Sequence, residues 1–466
     1  MLFNSFTYLL FFPVVCIIYY LLPQKSRWYF LLGSSYFFYM NWEPMYALLI
    51  MLSTVITFSG AKYIHKNEDS KTRKRLLLIS IVLNFGILFL FKYYNFLTQS
   101  IFEGLSLMNV RIVFPEFKLL LPVGISFYTF QAVGYSIDVY YRKLKPEANF
   151  GKYALFVSFF PQLVAGPIER ATNLLPQFSK KYAFDYKKAL EGTKLIIWGY
   201  FMKVVVADRL SIYVDSVYNN SEMHSSISIV FATVFFAFQI YCDFGGYSNI
   251  AIGCAKILGF DLMTNFKRPY FASNCSEFWH RWHISLSTWF KDYVYIPLGG
   301  NRVSKTRKYL NLMITFIVSG LWHGANWTFV IWGALNGLFQ IIVNFFKLNK
   351  RRDTSKVIHL INILITFILI DFTWVFFRAN NITHAMSIIE SVFTKSGGLF
   401  IGNNASFIYS IIGLGILLVK DFKDEYNITY LILETRVAKY AWYAILTILI
   451  LLIGVFDGSQ FIYFQF

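Results

Sequence analysis

An all-α, polytopic membrane protein is the fold class this sequence predicts. Three observations predict it. Of the 466 residues, 56% are hydrophobic and only 15% charged; apolar runs long enough to cross a bilayer recur from end to end; and the basic residues fall in short clusters between those runs. That much apolar surface exceeds what one soluble core of this length buries, so lipid is its natural solvent. Fifty-one Phe, 32 Tyr and 11 Trp supply interfacial rings and a protein-lined interior. The formal charge of +18 is spread between apolar runs instead of along one face, and no recognition motif accompanies it. Membrane lipid is therefore an expected partner and nucleic acid is not.

A span takes about 20 apolar residues. Candidate spans begin near Phe6, Trp28, Tyr46, Leu76, Leu119, Leu195, Ser228, Leu310, Thr328, Val357, Phe407 and Ala441. The first opens MLFNSFTYLLFF, with no basic leader and no small-residue cleavage site, and is expected to be retained. Lys25 and Arg27 follow it, a polar turn at 41–43 separates the second and third runs, and Lys62, Lys66, Lys71, Arg73, Lys74 and Arg75 follow the third. Basic loops prefer the cytoplasm, which puts the N-terminus outside. The same rule sends 142–152, 180–188, 302–308, 347–352 and 420–423 to the cytoplasm. Residues 98–118, 219–224, 378–405 and the C-terminal FIYFQF (461–466) then face outward.

The alternation closes only if some stretches enter and leave by one face. FVSFFPQLVAGPIER (156–170) carries Pro161, Gly166 and Pro167 in its middle, and 278–300 is too polar for lipid yet aromatic enough for burial. Broken backbone at membrane depth is tolerated where protein encloses it or where it lines a wet cavity. The expected architecture is a helical assembly with re-entrant segments around a central chamber. With no repeat, linker or soluble segment, residues 1–466 are expected to form one domain.

Cys16, Cys242, Cys254 and Cys275 lie in or beside apolar runs without CxxC spacing, which suits packing better than zinc or disulfides. Of the seven histidines, His65, His224, His359 and His384 sit in polar loops or at span ends. The others sit in two segments, SEFWHRWHISLSTWFKDYVYIPLGGNR, with His280 and His283, and YLNLMITFIVSGLWHGANWTFVIWGALNG, with His323. An ionisable group inside an apolar run is a functional candidate by default, and His323 fits best. Gly320 and Gly324 flank it, and Trp322 and Asn326 can wall and polarise a pocket. A histidine hydrogen-bonded between helices is the structural alternative. His283, 40 positions earlier, shares its segment with Arg281, Trp282, Ser287, Lys291 and Asp292, and this pairing favours chemistry. Of these, Trp282, Ser287 and Asp292 are candidate chamber residues. His280 and His283 are an i, i+3 pair, but no carboxylate stands at a ligand spacing, so no metal is specified. Proton removal from a hydroxyl or thiol is the simpler use of a neutral imidazole.

The run FWHRWHISLSTWFKDYVYIPLGGNR, followed by SGLWHGANWTFVIWGALNG, resembles the membrane-bound O-acyltransferase superfamily. Its bacterial branch, which holds membrane subunits of alginate and peptidoglycan O-acetyltransferases, also resembles LPVGISFYTFQAVGYSIDVYY (121–141), LFVSFFPQLVAGPIER (155–170) and FQIYCDFGGYSNIAIG (238–253). The likeness runs from about the first span to the C-terminus. It implies that His323 matches the family's membrane-embedded catalytic histidine. His283 takes a second signature position, usually Asn in acyl-CoA branches, so an orienting or oxyanion-polarising role suits it better than that of a base.

The resemblance further implies acyl transfer from a cytoplasmic thioester, acetyl-CoA, used as a substrate and not as a bound cofactor. The acceptor it implies is an extracytoplasmic polysaccharide, reached with a partner O-acetyltransferase, and the location a bacterial cytoplasmic (inner) membrane. Arg281, Lys291 and Arg302 are candidates to attract donor phosphates, or ordinary positive-inside charges. Tyr463 in the aromatic tail is a candidate acyl carrier, with an interfacial anchor as the alternative. Lipid or protein acylation is the competing enzyme reading, and a transporter or flippase, with broken helices around a midplane site, the competing class.

Overall fold

The computed structural model describes residues 1–110, 112, 114–117, 121–164, 166–348, 355–428, 435–456 and 461–462. The fold is all-α, and no strand occurs among these residues. They group into two units, 1–192 with 251–263, and 193–250 with 264–466.

The first unit holds Phe6–Leu21 (α1), Gln24–Met40 (α2), Tyr46–Lys66 (α3), and Ser70–Leu88 (α4), which runs through a π turn at Phe89–Tyr93 into Tyr94–Leu107 (α5). Local chemistry sets the boundaries. Ser5 caps α1 by accepting the Tyr8 N–H at 3.2 Å, and Asp69 ends the α3–α4 turn by accepting the Thr72 N–H at 2.8 Å. Ile125–Tyr140 (α6) is buried at every residue from 125 to 139, so it packs in protein and not against lipid. Phe150–Ser158 (α7) and Phe160–Leu163 (α8) are separated by an extended residue, Phe159, with Phe156, Phe159 and Phe160 all fully buried. The Pro- and Gly-containing stretch predicted to be broken is thus broken, and protein encloses it. Ala171–Leu174 (α9) and Tyr186–Tyr200 (α10) follow, α10 passing to the second unit at Thr193.

In the second unit a π-helical segment, Phe201–Ala207, joins α10 to Asp208–Tyr218 (α11). Ser226–Ile257 (α12) is the longest helix described, and 72% of its apolar window is buried, which makes it internal. Cys275–Arg281 (α13) and Ile284–Phe290 (α14) are short, and a π turn at Lys291–Tyr295 follows. Lys305–His323 (α15) and Trp327–Phe345 (α16) form a hairpin, followed by Lys356–Arg378 (α17), Ile382–Thr394 (α18), Asn404–Tyr426 (α19) and Arg436–Ile453 (α20). On α17, Leu360, Leu364, Ile365, Ile368 and Phe372 are exposed, while Ile363, Thr366, Ile370, Trp374 and Phe377 are buried. That division is an apolar face for lipid and a packed face for protein.

Among the described residues, six helical stretches are long and apolar enough to cross a membrane: 46–66, 70–107, 226–257, 327–345, 356–378 and 404–426. Twelve apolar runs were expected, and the remaining six fall short for identifiable reasons. α1, α2 and α6 have only 16 or 17 residues, and the apolar part of α20 is also short. The run near Leu195 is interrupted by a fully buried π segment containing Lys203, and α15 opens with Lys305, Arg307 and Lys308 and carries a buried polar stripe.

Candidate active site

α15 is built to deliver a histidine. Asn311, Thr315, Ser319 and His323 recur every four residues and so share one helix face. All four are buried, with His323 at 3% exposure on the last residue of the helix. Three residues later Asn326 starts α16, accepting the Thr328 N–H at 3.0 Å and donating to the Asn380 carbonyl at 2.8 Å. The two helices approach closely because Gly320 faces the Phe329 backbone and Gly333 faces the Phe316 carbonyl. A methyl at either position would overlap the facing oxygen.

This close approach packs three rings edge-on around His323. Centroid distances are 4.9 Å to Trp322, 4.9 Å to Trp332 and 5.3 Å to Phe377, with interplanar angles of 84°, 81° and 69°. Such a cage fixes the plane of the imidazole and lowers the local dielectric, which strengthens any hydrogen bond made inside it.

His283 reaches the same place from a different kind of backbone. It links α13 to α14 in the left-handed region, at φ 42° and ψ 54°, which costs a residue with a Cβ about 1–2 kcal/mol. Asn265 holds it there. The Asn265 carbonyl accepts the Ile284 N–H at 2.9 Å, and its side-chain oxygen accepts the Ser285 hydroxyl at 2.6 Å. Its amide donates to Ser248 on α12 at 3.0 Å. The Ser287 N–H returns to the His283 carbonyl at 2.9 Å to start the helix. The His283 ring stands edge-on to Phe244 at 4.5 Å and to Trp322 at 5.8 Å. A neutral imidazole there offers one nitrogen as donor and the other as acceptor.

The two histidine rings lie 6.5 Å apart at 64°. With hydrogen bonds of about 2.8–3 Å, one oxygen atom can bridge rings at that separation. A cavity of about 350 Å³ lies alongside, lined by Trp279, Ser287, Thr288, Lys291, Lys308 and Ser319 among others. Ser319 is one turn before His323, and Trp279 packs against Trp332 at 5.6 Å, the ring that packs against His323. The cavity therefore ends one side-chain layer from the histidine pair, with two lysines on its walls.

The structure sorts the remaining predicted residues. Ser287 and Lys291 line the cavity. Trp282 is fully buried, with Trp374 5.0 Å away and Phe278 stacked at 5.4 Å, and so supports the wall from behind. Asn326 is committed to capping α16. Asp292 lies half-buried in the π turn and Arg302 is exposed in the loop before α15. Arg281 makes a two-pronged pair with Glu425 at 2.8 and 2.9 Å and a third bond to Glu277 at 2.6 Å, so its guanidinium cross-links α13 to α19. His280 lines the same cavity, its Nδ1 2.6 Å from the Ser276 carbonyl. Tyr463 lies outside the described residues. Among the described residues, no three His, Cys, Asp or Glu side chains gather to hold a metal ion.

Sequence reasoning missed Asn265, Phe244, Trp332, Phe377 and Lys308. The polar stripe on α15 was readable from its four-residue spacing, and Lys308 stands one turn before its first member. The others become visible only through packing.

A family model described as MBOAT, membrane-bound O-acyltransferase family, matches residues 141–379, a stretch that contains both histidines. The probable alginate O-acetylase of Pseudomonas aeruginosa is 38% identical over 84% of this chain and 75% of its own length. The peptidoglycan O-acetyltransferase of Helicobacter pylori is 34% identical over 78% of this chain and 73% of its own. The teichoic acid D-alanyltransferase of Bacillus subtilis is 26% identical over 58% and 72%, respectively.

Proposed function

The chain belongs to the membrane-bound O-acyltransferase family and is a multi-pass membrane O-acyltransferase, and from that premise we propose that it carries acetyl groups from cytoplasmic acetyl-CoA to a hydroxyl of an extracytoplasmic polysaccharide, with His323 as the general base. The observation that carries the reading is the caged His323–His283 pair, 6.5 Å apart, one side-chain layer from a lysine-lined cavity. A polysaccharide of the alginate or peptidoglycan class is favoured, because the relatives with higher identity and coverage are named for those polymers and for acetyl rather than D-alanyl transfer.

In this reading the donor's thioester arm occupies the cavity, with Lys291 and Lys308 toward its phosphates. The acceptor oxygen sits between the two imidazoles. His323 takes the hydroxyl proton as the oxygen attacks the thioester carbonyl. Neutral His283, held by Asn265, donates to the oxygen on which negative charge gathers. Collapse of the tetrahedral intermediate breaks the carbon–sulfur bond, and the proton on His323 leaves with the thiolate as free thiol. The aromatic cage excludes water, which would otherwise compete as acceptor.

Orientation follows from the basic loops: those clusters face the cytoplasm of a bacterial inner membrane and both termini face out. The first hydroxyl need not be the polymer's. Phe461 packs on Phe244, which packs on His283, at 5.8 and 4.5 Å. This brings the chain to within two residues of Tyr463 and supports that phenol as an interim carrier to a partner transferase outside. Measuring polymer-bound acetate in cells carrying wild type, His323→Ala or Tyr463→Phe tests both points. The reading predicts loss in the two variants at wild-type protein levels. Wild-type acetate with His323→Ala refutes the base, and wild-type acetate with Tyr463→Phe refutes the carrier.

A further inference from the structure

Three ionised side chains lie buried outside the histidine site. The Lys203 ammonium is 2.8 Å from Asp208 Oδ1 and 2.6 Å from Asp243 Oδ1, and all three side chains are at most 4% exposed. Burying ions is costly, and apolar residues of the same volume would serve packing at least as well. A bare stabilising role is therefore a poor account of them.

The second carboxylate oxygen shows what the cluster holds. Asp243 Oδ2 accepts the main-chain N–H of Ile462 at 2.7 Å. Two more bonds fasten the same end of the chain nearby: Val455 N–H to the Val204 carbonyl at 2.9 Å, and Arg209 Nε to the Ile453 carbonyl at 2.8 Å. Val204 belongs to the π-helical segment with Lys203, where the widened turn leaves a carbonyl available to a partner outside the helix. The seat continues into rings. Phe461 lies 4.6 Å from Tyr247, whose ring lies 5.5 Å from the Lys203 ammonium, and 5.8 Å from Phe244. Phe244 follows Asp243 on α12 and packs also on His283 at 4.5 Å and Phe266 at 5.1 Å.

We propose that Lys203, Asp208 and Asp243 form a latch that seats the C-terminal strap, residues 453–456 and 461–462, against Phe244 and thereby sets the orientation of His283. Lys203 aims the Asp243 carboxylate, Asp243 holds Ile462, and Phe461 and His283 both pack on the Phe244 ring. These are positioning residues. The consequence for catalysis rests on the acyl-transfer reading above; the seating of the strap does not.

Two readouts on the full-length purified protein test this, with Asp243→Asn, Phe461→Leu and the double variant. Carboxypeptidase trimming of the C-terminus, followed by intact mass, reports seating. Turnover of labelled acetyl-CoA reports alignment. Each single variant is expected to speed trimming and to lower turnover by about 10-fold or more, the scale of a sub-ångström misplacement, with donor KM unchanged. The double variant is expected to be no slower than the worse single one, because both release one strap. Unchanged trimming, wild-type turnover with a released tail, or additive losses in the double variant each overturn the latch. If Asp243→Asn does not yield monodisperse protein, Phe461→Leu, which leaves all three ionised side chains in place, decides the matter alone on the first two criteria. Trimming is read without catalysis. A failure of the His323 assignment would therefore show separately, as wild-type transfer in His323→Ala, and leave the seating result standing.

Discussion

Gly320→Ala is a one-methyl change that tests whether the α15–α16 approach positions His323. The added methyl would overlap the Phe329 carbonyl oxygen and stand 3.1 Å from its carbonyl carbon and 3.3 Å from Gly333 Cα. Carbon contacts settle at about 3.5–4 Å, and these partners are backbone, so the helices must part by about 1 Å. Overpacking of that kind costs about 1–3 kcal/mol, and the better helix propensity of Ala returns about 1 kcal/mol, leaving a small net loss of stability. The rate is far more sensitive. His323 is three residues further along the same helix, and a misplacement of about 1 Å at a reacting group costs on the order of 100-fold. Gly337→Ala is the milder comparison on the same hairpin: its methyl meets the Met313 thioether at 3.1 Å and Phe316 Cβ at 3.2 Å, contacts that a shift of a few tenths of an ångström relieves. Labelled acetyl-CoA turnover and thermal unfolding in detergent read both variants. The expected pattern is a large loss of rate with a small loss of stability in Gly320→Ala, and a much smaller loss of rate in Gly337→Ala. Turnover within about 2-fold of wild type in Gly320→Ala, or equal losses in both variants, would refute the reasoning.

Asn265→Ala removes the side-chain acceptor of Ser285 and the donor to Ser248; it should cost about 1–3 kcal/mol and lower turnover, whereas losing stability with full turnover would show that the His283 turn holds without it. Lys291→Ala and Lys308→Ala should each raise the donor KM several-fold with kcat little changed; a fall in kcat at constant KM would remove the donor from this cavity.

The histidines were legible because titratable groups inside apolar runs violate the surrounding pattern. Their enclosure was not. Trp332 and Phe377 read as ordinary apolar residues on α16 and α17, and only the pairing of those helices with α15 turns them toward His323. Asn265 lies 18 positions before His283 and acts largely through main-chain bonds that no residue type announces. Arg281 shows the opposite failure: in sequence it is a free cation beside the motif, while in the fold Glu425, 144 positions away, claims it. Apolar runs alone do not give a span count for a related reason, since α6 and the π-interrupted helix near Leu195 are apolar where protein surrounds them.

Purified protein given acetyl-CoA labelled in the acetyl group, with wild type and His323→Ala compared at equal folded amounts, tests the central claim most directly. The prediction is time-dependent release of free CoA with label passing to a hydroxyl in the wild type, and a loss of both in His323→Ala by at least about 100-fold, the usual scale of a general base. Equal CoA release and equal labelling by the two proteins would contradict it.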